Sequence, residues 1–159
     1  MITSMGEHMN TAAVLDIIED LHRRAAHPDI ASIDRYDGAL AGVELRYQST
    51  SKVYLAVVDP GKAKVTPHPL PEGVLPIKQR APRALKLLHD LLETARPAQF
   101  TSWQPVAVED IGLQPCGLGI VCADGSRVLV RVTAGGATQG FEPETDPYPD
   151  YVIPAGAFA

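Results

Sequence analysis

Two stretches of this chain repeat the same alternation of apolar residues, 75 positions apart. Residues Val43–Val58 align with Leu118–Thr133 without a gap. Apolar residues fall on apolar residues at five positions, with Val43, Leu45, Val53, Leu55 and Val57 matching Leu118, Ile120, Val128, Val130 and Val132. Alternation with period two is typical of strands that bury one face. Both stretches are therefore predicted to be β-hairpins, with Ser49-Thr50 and Asp124-Gly125 at equivalent turn positions.

An amphipathic helix is predicted before each hairpin, and the two helices match at an offset of 70. The matched apolar positions are Leu15, Ile17, Ile18, Leu21 and Ala25 with Leu85, Leu87, Leu88, Leu91 and Ala95. The first helix is predicted near Thr11–Ala26 with Asn10 or Thr11 as its N-cap. The second is predicted to begin with Pro82 as its first residue and to end before Pro97.

Two helices and two hairpins predict an α+β fold with an antiparallel sheet. The similarity has two interpretations. It indicates either a duplicated helix–hairpin unit, with repeats 10–59 and 81–134, or convergent patterning, since alternation alone makes any two half-buried hairpins match in part.

The connections are predicted from turn residues. Asp124-Gly125 between alternating apolar runs favours a two-residue turn, which places Val121 opposite Val128. The polar segment Asp29–Gly38 is predicted as a connector, and Gln99–Trp103 as a short edge strand that Pro105 closes.

The length of 159 residues predicts one domain. Its expected bounds are 10–135, after a disordered lead 1–9 in which Met5 or Met9 is an alternative start. No apolar run approaches the roughly 20 residues of a membrane span, and the N-terminus has no signal-peptide pattern. We therefore expect a cytoplasmic protein that does not enter a membrane, and the Ala-, Pro- and Gly-rich composition suggests a bacterial source.

Cysteine use agrees with a reducing compartment. Cys116 and Cys122 are six residues apart, about 20 Å along a strand, and a disulfide requires Cα atoms within about 7 Å. The two cysteines therefore cannot form a disulfide with each other unless the chain bends sharply at Pro115–Gly119. Their spacing does not fit a zinc site either. Cys122 is predicted as a small core residue, and no metal or cofactor is expected.

Charge is segregated along the chain. The Pro-rich connector Pro60–Arg83 has a net charge of +4, and residues 136–159 have a net charge of −4 with four aromatic residues. This C-terminal arm is predicted either to dock on the domain with its carboxylates near the basic segment, or to be an exposed ligand for another protein. Its aromatic and β-branched residues favour the docked arrangement.

His27-Pro28-Asp29 resembles the tripeptide of the chaperone-stimulating J-domains, and a basic helix end precedes it as it does there. Only 26 residues precede it here, too few for the two helices of that family, and β-patterned sequence follows. The resemblance covers three residues, and we transfer no function from it. A proline that ends a helix explains the motif.

The chain contains none of the common catalytic or nucleotide-binding motifs, and its histidines are scattered. The first hypothesis is therefore a non-catalytic protein-binding or adaptor domain, immunity-like or chaperone-like, that binds another protein or a second copy of itself. Its candidate binding residues are Arg127, Arg131, Trp103, Tyr148 and Tyr151.

Two alternatives stay open. One is a small enzyme or ligand-binding domain with a pocket between sheet and helices, lined by His89, Asp90, Arg127 or Arg131. The other is a weak nucleic-acid binder acting through Pro60–Arg83, which the isoelectric point near 5.4 disfavours.

Overall fold

The computed structural model describes residues 10–37, 40–61, 64–73, 75, 79–108, 117–135 and 145–158. Within these ranges it contains two helices and seven strands. In chain order they are α1 (Thr11–Ala25), β1 (Ile30–Asp37), β2 (Ala41–Tyr47), β3 (Lys52–Val58), β4 (Val65–Pro67), α2 (Arg80–Ala95), β5 (Phe100–Val108), β6 (Gly117–Cys122) and β7 (Arg127–Gly135). The strands form one antiparallel sheet in the order β1-β2-β3-β7-β6-β5-β4. The predicted α+β class with two main helices and an antiparallel sheet is confirmed.

Both helices pack on the same face of the sheet. The Asn10 side chain caps α1 by accepting a hydrogen bond from Ala13 N at 2.7 Å. The apolar stripe of each helix is buried against alternate residues of the central strands. The helix residues of this core are Val14, Leu15, Ile18, Leu21 and Ala25 of α1 and Ala84, Leu85, Leu88, Leu91 and Leu92 of α2. We call this sheet face the inner face and the opposite one the outer face.

The two halves of the fold have the same element order. One half is α1-β1-β2-β3 and the other is α2-β5-β6-β7, and they meet where β3 pairs with β7. Local details coincide as well, because β1 and β5 each carry a register irregularity after their first residue. Residues Ala26 and Arg96, which follow the two helices, both have left-handed backbone conformations. Common ancestry of the halves stays a prediction.

The register of the second hairpin differs from the prediction by one residue. Val121 pairs with Arg127, and Ile120 pairs with Val128. The connection is a three-residue loop in which Gly125 has a φ of 89° and its N–H donates to Cys122 O. This loop matches a type I turn followed by a bulge residue, rather than the predicted two-residue turn. The slip moves Ile120 to the inner face with Val128 and moves Val121 to the outer face with Arg127.

The predicted connector Asp29–Gly38 is wrong over most of its length, since Ile30–Asp37 is strand β1 at one sheet edge. The strand lacks a clear apolar alternation because Arg35 binds Asp16 and Glu19 of α1, at 2.7 and 3.2 Å, in place of burying an apolar side chain. Edge strands commonly carry charged residues of this kind.

The predicted short edge strand Gln99–Trp103 is, apart from its first residue, part of β5, but it does not end at Pro105: β5 continues to Val108, and β4 pairs only with its last three residues. Pro105 O accepts a hydrogen bond from His68 N, so the backbone polar groups of Pro105 face the β4 side. Because strand β4 ends at Pro67, the hydrogen bonds between β4 and β5 do not require a backbone N–H at position 105, which proline lacks.

Helix α2 begins two residues before the predicted Pro82 and ends before Pro97 as predicted. Cys122 is buried in the core, as predicted. The lead 1–9, Cys116 and Phe141 lie outside the described residues. Neither described helix has the length and apolarity that crossing a membrane requires.

Candidate functional site

The arm segment 145–158 lies against the C-terminal end of α1. The Tyr151 hydroxyl donates a hydrogen bond to Ala25 O at 2.7 Å. This carbonyl belongs to the last turn of α1, where no intrahelical donor is available. Further along, Ile153 and Phe158 pack against the main core. The described part of the arm is therefore docked on the helix-covered side of the sheet.

A buried cluster of three charges joins the arm to the rest of the fold. Arg83 of α2 donates from Nη1 to Asp29 Oδ2 at 2.8 Å. Its Nε and Nη2 donate to the two carboxylate oxygens of Asp146 at 3.2 and 3.1 Å. The side chains of Arg83 and Asp29 are only 10% and 1% exposed. The cluster thus ties α2, the segment after α1 and the arm together, with bidentate geometry on Asp146.

The electrostatics of this cluster favour a structural role. Burial raises the pKa of Asp29, although the hydrogen bond from Arg83 opposes this effect. Burial acts to lower the pKa of Arg83, but its hydrogen bonds to Asp146 and Asp29 outweigh it and raise that pKa. The guanidinium carbon also lies 5.4 Å from the centre of the buried Tyr47 ring. Arg83 stays charged and bound, so the cluster offers no free acid or base.

His27 fills the space between this cluster and the arm. Its Nδ1 accepts a hydrogen bond from Asp29 N at 3.1 Å. Its ring centre lies 4.2 Å from that of Tyr151 and 6.1 Å from that of Tyr148. Burial and the nearby positive charge of Arg83 lower the pKa of His27 to about 4. His27 is therefore neutral near pH 7, and the motif His27-Pro28-Asp29 holds the arm in place.

An open groove of about 510 Å³ lies between the arm and α2, and Gly73 and Leu75 of the connector also line it. Its lining is mixed, with apolar side chains from the arm and charged side chains from α2. The lining residues that project from these two walls are Lys86, Leu87, Asp90, Glu93, Tyr148, Val152 and Ile153. Tyr148 and Val152 are 37% and 76% exposed. A volume of this size is typical of sites that bind a small molecule or a few side chains of a partner.

The five predicted binding residues lie in three places. Tyr148 and Tyr151 both line the groove. Trp103 lies on the inner face beside the end of α2, where its Nε1 donates to Glu93 Oε2 at 2.6 Å. Arg127 and Arg131 lie on the outer face, because they alternate along β7 with core residues Val130 and Val132.

The two arginines do not form one site. Arg127 lines a depression of about 160 Å³, and Arg131 lines a separate one of about 380 Å³. His89 and Asp90 belong to α2, on the other side of the sheet. The structure therefore does not bring the two arginines into one pocket with His89 or Asp90, although Asp90 lines the groove beside α2.

Sequence reasoning did not assign Arg83 or Asp29 to a site. The opposite charge of Pro60–Arg83 and the arm was a signal for Arg83, whereas Asp29 lies in neither of these segments. The pair Arg83–Asp146 is a contact of the kind that this segregation predicts. The same pair removes one positive charge from the surface of the basic segment, which weakens the nucleic-acid hypothesis.

No protein-family model, curated protein or solved structure matches this chain. Within the described ranges, no three His, Cys, Asp or Glu side chains are grouped so that they could hold a metal ion.

Proposed function

We propose that this chain is a non-catalytic protein-binding domain, and that the groove between α2 and the arm receives a segment of a partner protein. The observation that carries the proposal is the position of the exposed apolar side chains. In the described part of the chain, three large apolar side chains are exposed, and two of them, Tyr148 and Val152, line this groove. Apolar and aromatic side chains at the centre of a polar rim are typical of protein interfaces.

The charged wall of the groove indicates what kind of segment fits. Lys86, Asp90 and Glu93 lie on α2 at positions three and four residues apart, which places them on one side of the helix. Lys86 Nζ and Asp90 Oδ2 are 4.0 Å apart, and both side chains are partly exposed. Exchanging this ion pair for contacts with charges of a bound segment therefore costs little free energy. The proposed occupant is a segment with one or two apolar anchor residues for the arm side and charges of both signs for the α2 side.

The groove is already formed in the structure without a partner, which supports its use as a binding site. Its arm wall is held by the Arg83 cluster and by the hydrogen bond from Tyr151 to Ala25 O. A wall whose backbone is already ordered loses less conformational entropy when a partner binds. A cytoplasmic adaptor is the setting that we propose, because Cys122 is a free thiol.

The test uses a photo-crosslinking residue at position 152, and the same residue at position 40 as the control. Leu40 is the third exposed large apolar side chain, and it lies on the outer face depression away from the groove. A partner crosslinked from position 152 alone is then purified, and its affinity is measured by calorimetry for Val152→Asp and Leu40→Asp.

The proposal expects that Val152→Asp weakens binding about tenfold or more, since burying a charge against an apolar anchor is costly, and that Leu40→Asp changes it less than about twofold. Equal crosslinking from both positions, or a partner that binds Val152→Asp as tightly as the unmodified chain, would overturn it.

A further inference from the structure

Four neighbouring residues on the outer face of the sheet belong to one cross-strand row, which continues beyond Arg131 to Gly117 of β6. Tyr36 of β1 pairs with Gly42 of β2, Gly42 with Ala56 of β3, and Ala56 with Arg131 of β7. The two middle residues are small, and the two outer ones are large. The row therefore forms a trough whose floor is Ala56, which is buried.

The Tyr36 side chain depends on the glycine beside it. A Cβ at Gly42 would lie 2.7 Å from the Tyr36 hydroxyl oxygen and 2.6 Å from Leu55 O. The absence of a side chain at Gly42 thus lets the Tyr36 side chain lie across β2 towards the trough. This ring meets the Tyr54 ring edge to face, with centres 5.2 Å apart and an angle of 75° between the planes.

Further side chains complete the walls. Tyr54 pairs with Thr133 in the neighbouring row, and Leu40 lines the same depression. Together with Tyr36, Ala56 and Arg131 they line an open pocket of about 380 Å³. It is lined by two tyrosine rings and the aliphatic side chain of Leu40, and the polar groups of its lining residues are the two tyrosine hydroxyls, the Thr133 hydroxyl and the Arg131 guanidinium.

Arg131 has no ion-pair partner among the residues that the structure describes. Its Nε is buried and has no hydrogen-bond partner in the described part of the chain, and none of the ion pairs there involves it. Lys52 on the same face has a partner for its charge, because its Nζ lies 3.3 Å from Glu44 Oε1. A buried donor without an acceptor is costly, and an anion placed in the pocket would remove that cost.

We propose that this pocket binds a planar aromatic carboxylate. The ring of such a ligand would pack against Tyr36 and Tyr54 over the floor at Ala56, and its carboxylate would accept hydrogen bonds from Arg131. The site is separate from the groove of the proposed function, because it lies on the opposite face of the sheet. The apolar walls and the single cation favour this ligand over inorganic anions, which several donors usually bind.

The probe is 2-naphthoate, titrated into the 15N-labelled full chain and followed by two-dimensional NMR. Its neutral counterpart 2-naphthamide tests the need for the charge. Arg131→Gln removes the cation, and Ala56→Leu fills the floor of the trough. Arg127→Gln is the matched control, since it removes an arginine from the same strand and face, four residues away.

Saturable binding of one naphthoate with a dissociation constant of about 1 mM or below is expected. Arg131→Gln and the amide probe should each weaken it about tenfold or more, and Arg127→Gln less than about twofold. The spectrum of each variant shows whether it is folded, and Arg131→Gln decides the outcome if Ala56→Leu is not.

The proposal is overturned if no residue of the pocket shifts up to about 10 mM probe, well above that constant. It is also overturned if Arg131→Gln binds as well as Arg127→Gln, or if the shifts map to the groove between α2 and the arm. Self-association that Arg131→Gln abolishes would show that a second copy covers this face, which contradicts the proposal as well.

Discussion

Thr50 and Gly125 occupy equivalent positions in two hairpin loops, and both have a positive φ, of 74° and 89°. The N–H of each residue donates to the carbonyl three residues before it, at Tyr47 and Cys122. A β-branched residue in this conformation costs about 1–2 kcal/mol, and glycine does not pay this cost. The first loop therefore stores strain that the second does not.

Thr50→Gly should stabilise the protein by about 0.5–1 kcal/mol, because the relief of strain exceeds the entropy that glycine adds to the unfolded chain. The Thr50 side chain is exposed, so no packing is lost. The measurement is the free energy of unfolding in urea. Gly125→Ala is the reciprocal variant and should destabilise by about 1 kcal/mol. A Thr50→Gly protein no more stable than the parent would show that the loop conformation differs from the one described.

The elements that the sequence predicted well are those whose pattern is local. Both hairpins and both helices follow from apolar periodicity, and their boundaries agree within about two residues. Strand β1 was missed because Arg35 pairs with the carboxylates of α1, which are 16 and 19 residues away, and periodicity does not register such a contact. The register of the second hairpin depended on one loop residue, which local patterns leave open.

Tyr151→Phe should lower the free energy of unfolding by about 1 kcal/mol, because it leaves Ala25 O at the end of α1 without its donor. Tyr148→Phe is the matched control, since that side chain lies in the same arm and is exposed. It should change stability by less than about 0.5 kcal/mol. Urea denaturation of both variants measures the difference, and equal losses would argue against a stabilising role for the Tyr151 hydroxyl.

The candidate site was only partly accessible from the sequence. The grouping of Tyr148 with Tyr151 follows from their spacing in one short segment. The Arg83 cluster joins positions 29, 83 and 146, and the choice of Asp146 over other carboxylates depends on the three-dimensional path of the arm. Segregated charge indicates that such contacts form, but it does not identify the partners.

Asp146→Asn should destabilise the protein by about 1–3 kcal/mol, because it weakens two charge-assisted hydrogen bonds to a guanidinium that is largely removed from water. Arg83 keeps Asp29, which limits the loss. The arm should also become more sensitive to limited proteolysis, since its main polar attachment is weakened.

Asp150→Asn is the control for this variant, because it makes the same change in the same arm at an exposed carboxylate. Its free energy of unfolding should match that of the parent within about 0.5 kcal/mol. Its rate of limited proteolysis should be the same as that of the parent. If Asp146→Asn and Asp150→Asn behave alike, the buried cluster does not hold the arm.

His22 should make the protein less stable in mild acid. It is fully buried in α1, and this burial lowers its pKa to about 4, although the hydrogen bond to Ile18 O opposes the effect. The unfolded chain, with a histidine pKa of about 6.5, therefore binds a proton between these values that the folded chain does not. The free energy of unfolding should fall by about 3 kcal/mol from this residue as the pH drops from about 6.5 to 4.

The variant His22→Leu isolates this contribution, because it keeps a side chain of similar size in the core and removes the titrating group. The free energy of unfolding, measured in urea at several values between about pH 4.5 and 7.5, should depend less steeply on pH in His22→Leu than in the parent, by about 1 kcal/mol per pH unit over the acidic half of this range. His27, whose pKa is also lowered to about 4, should keep the remaining slope in the same direction. The comparison uses the slope, so a constant difference in stability between the two proteins does not affect it. If the pH dependence of the free energy of unfolding is the same in His22→Leu and the parent, His22 has the same pKa in the folded and unfolded chains. That result would contradict the effect expected from its complete burial in α1.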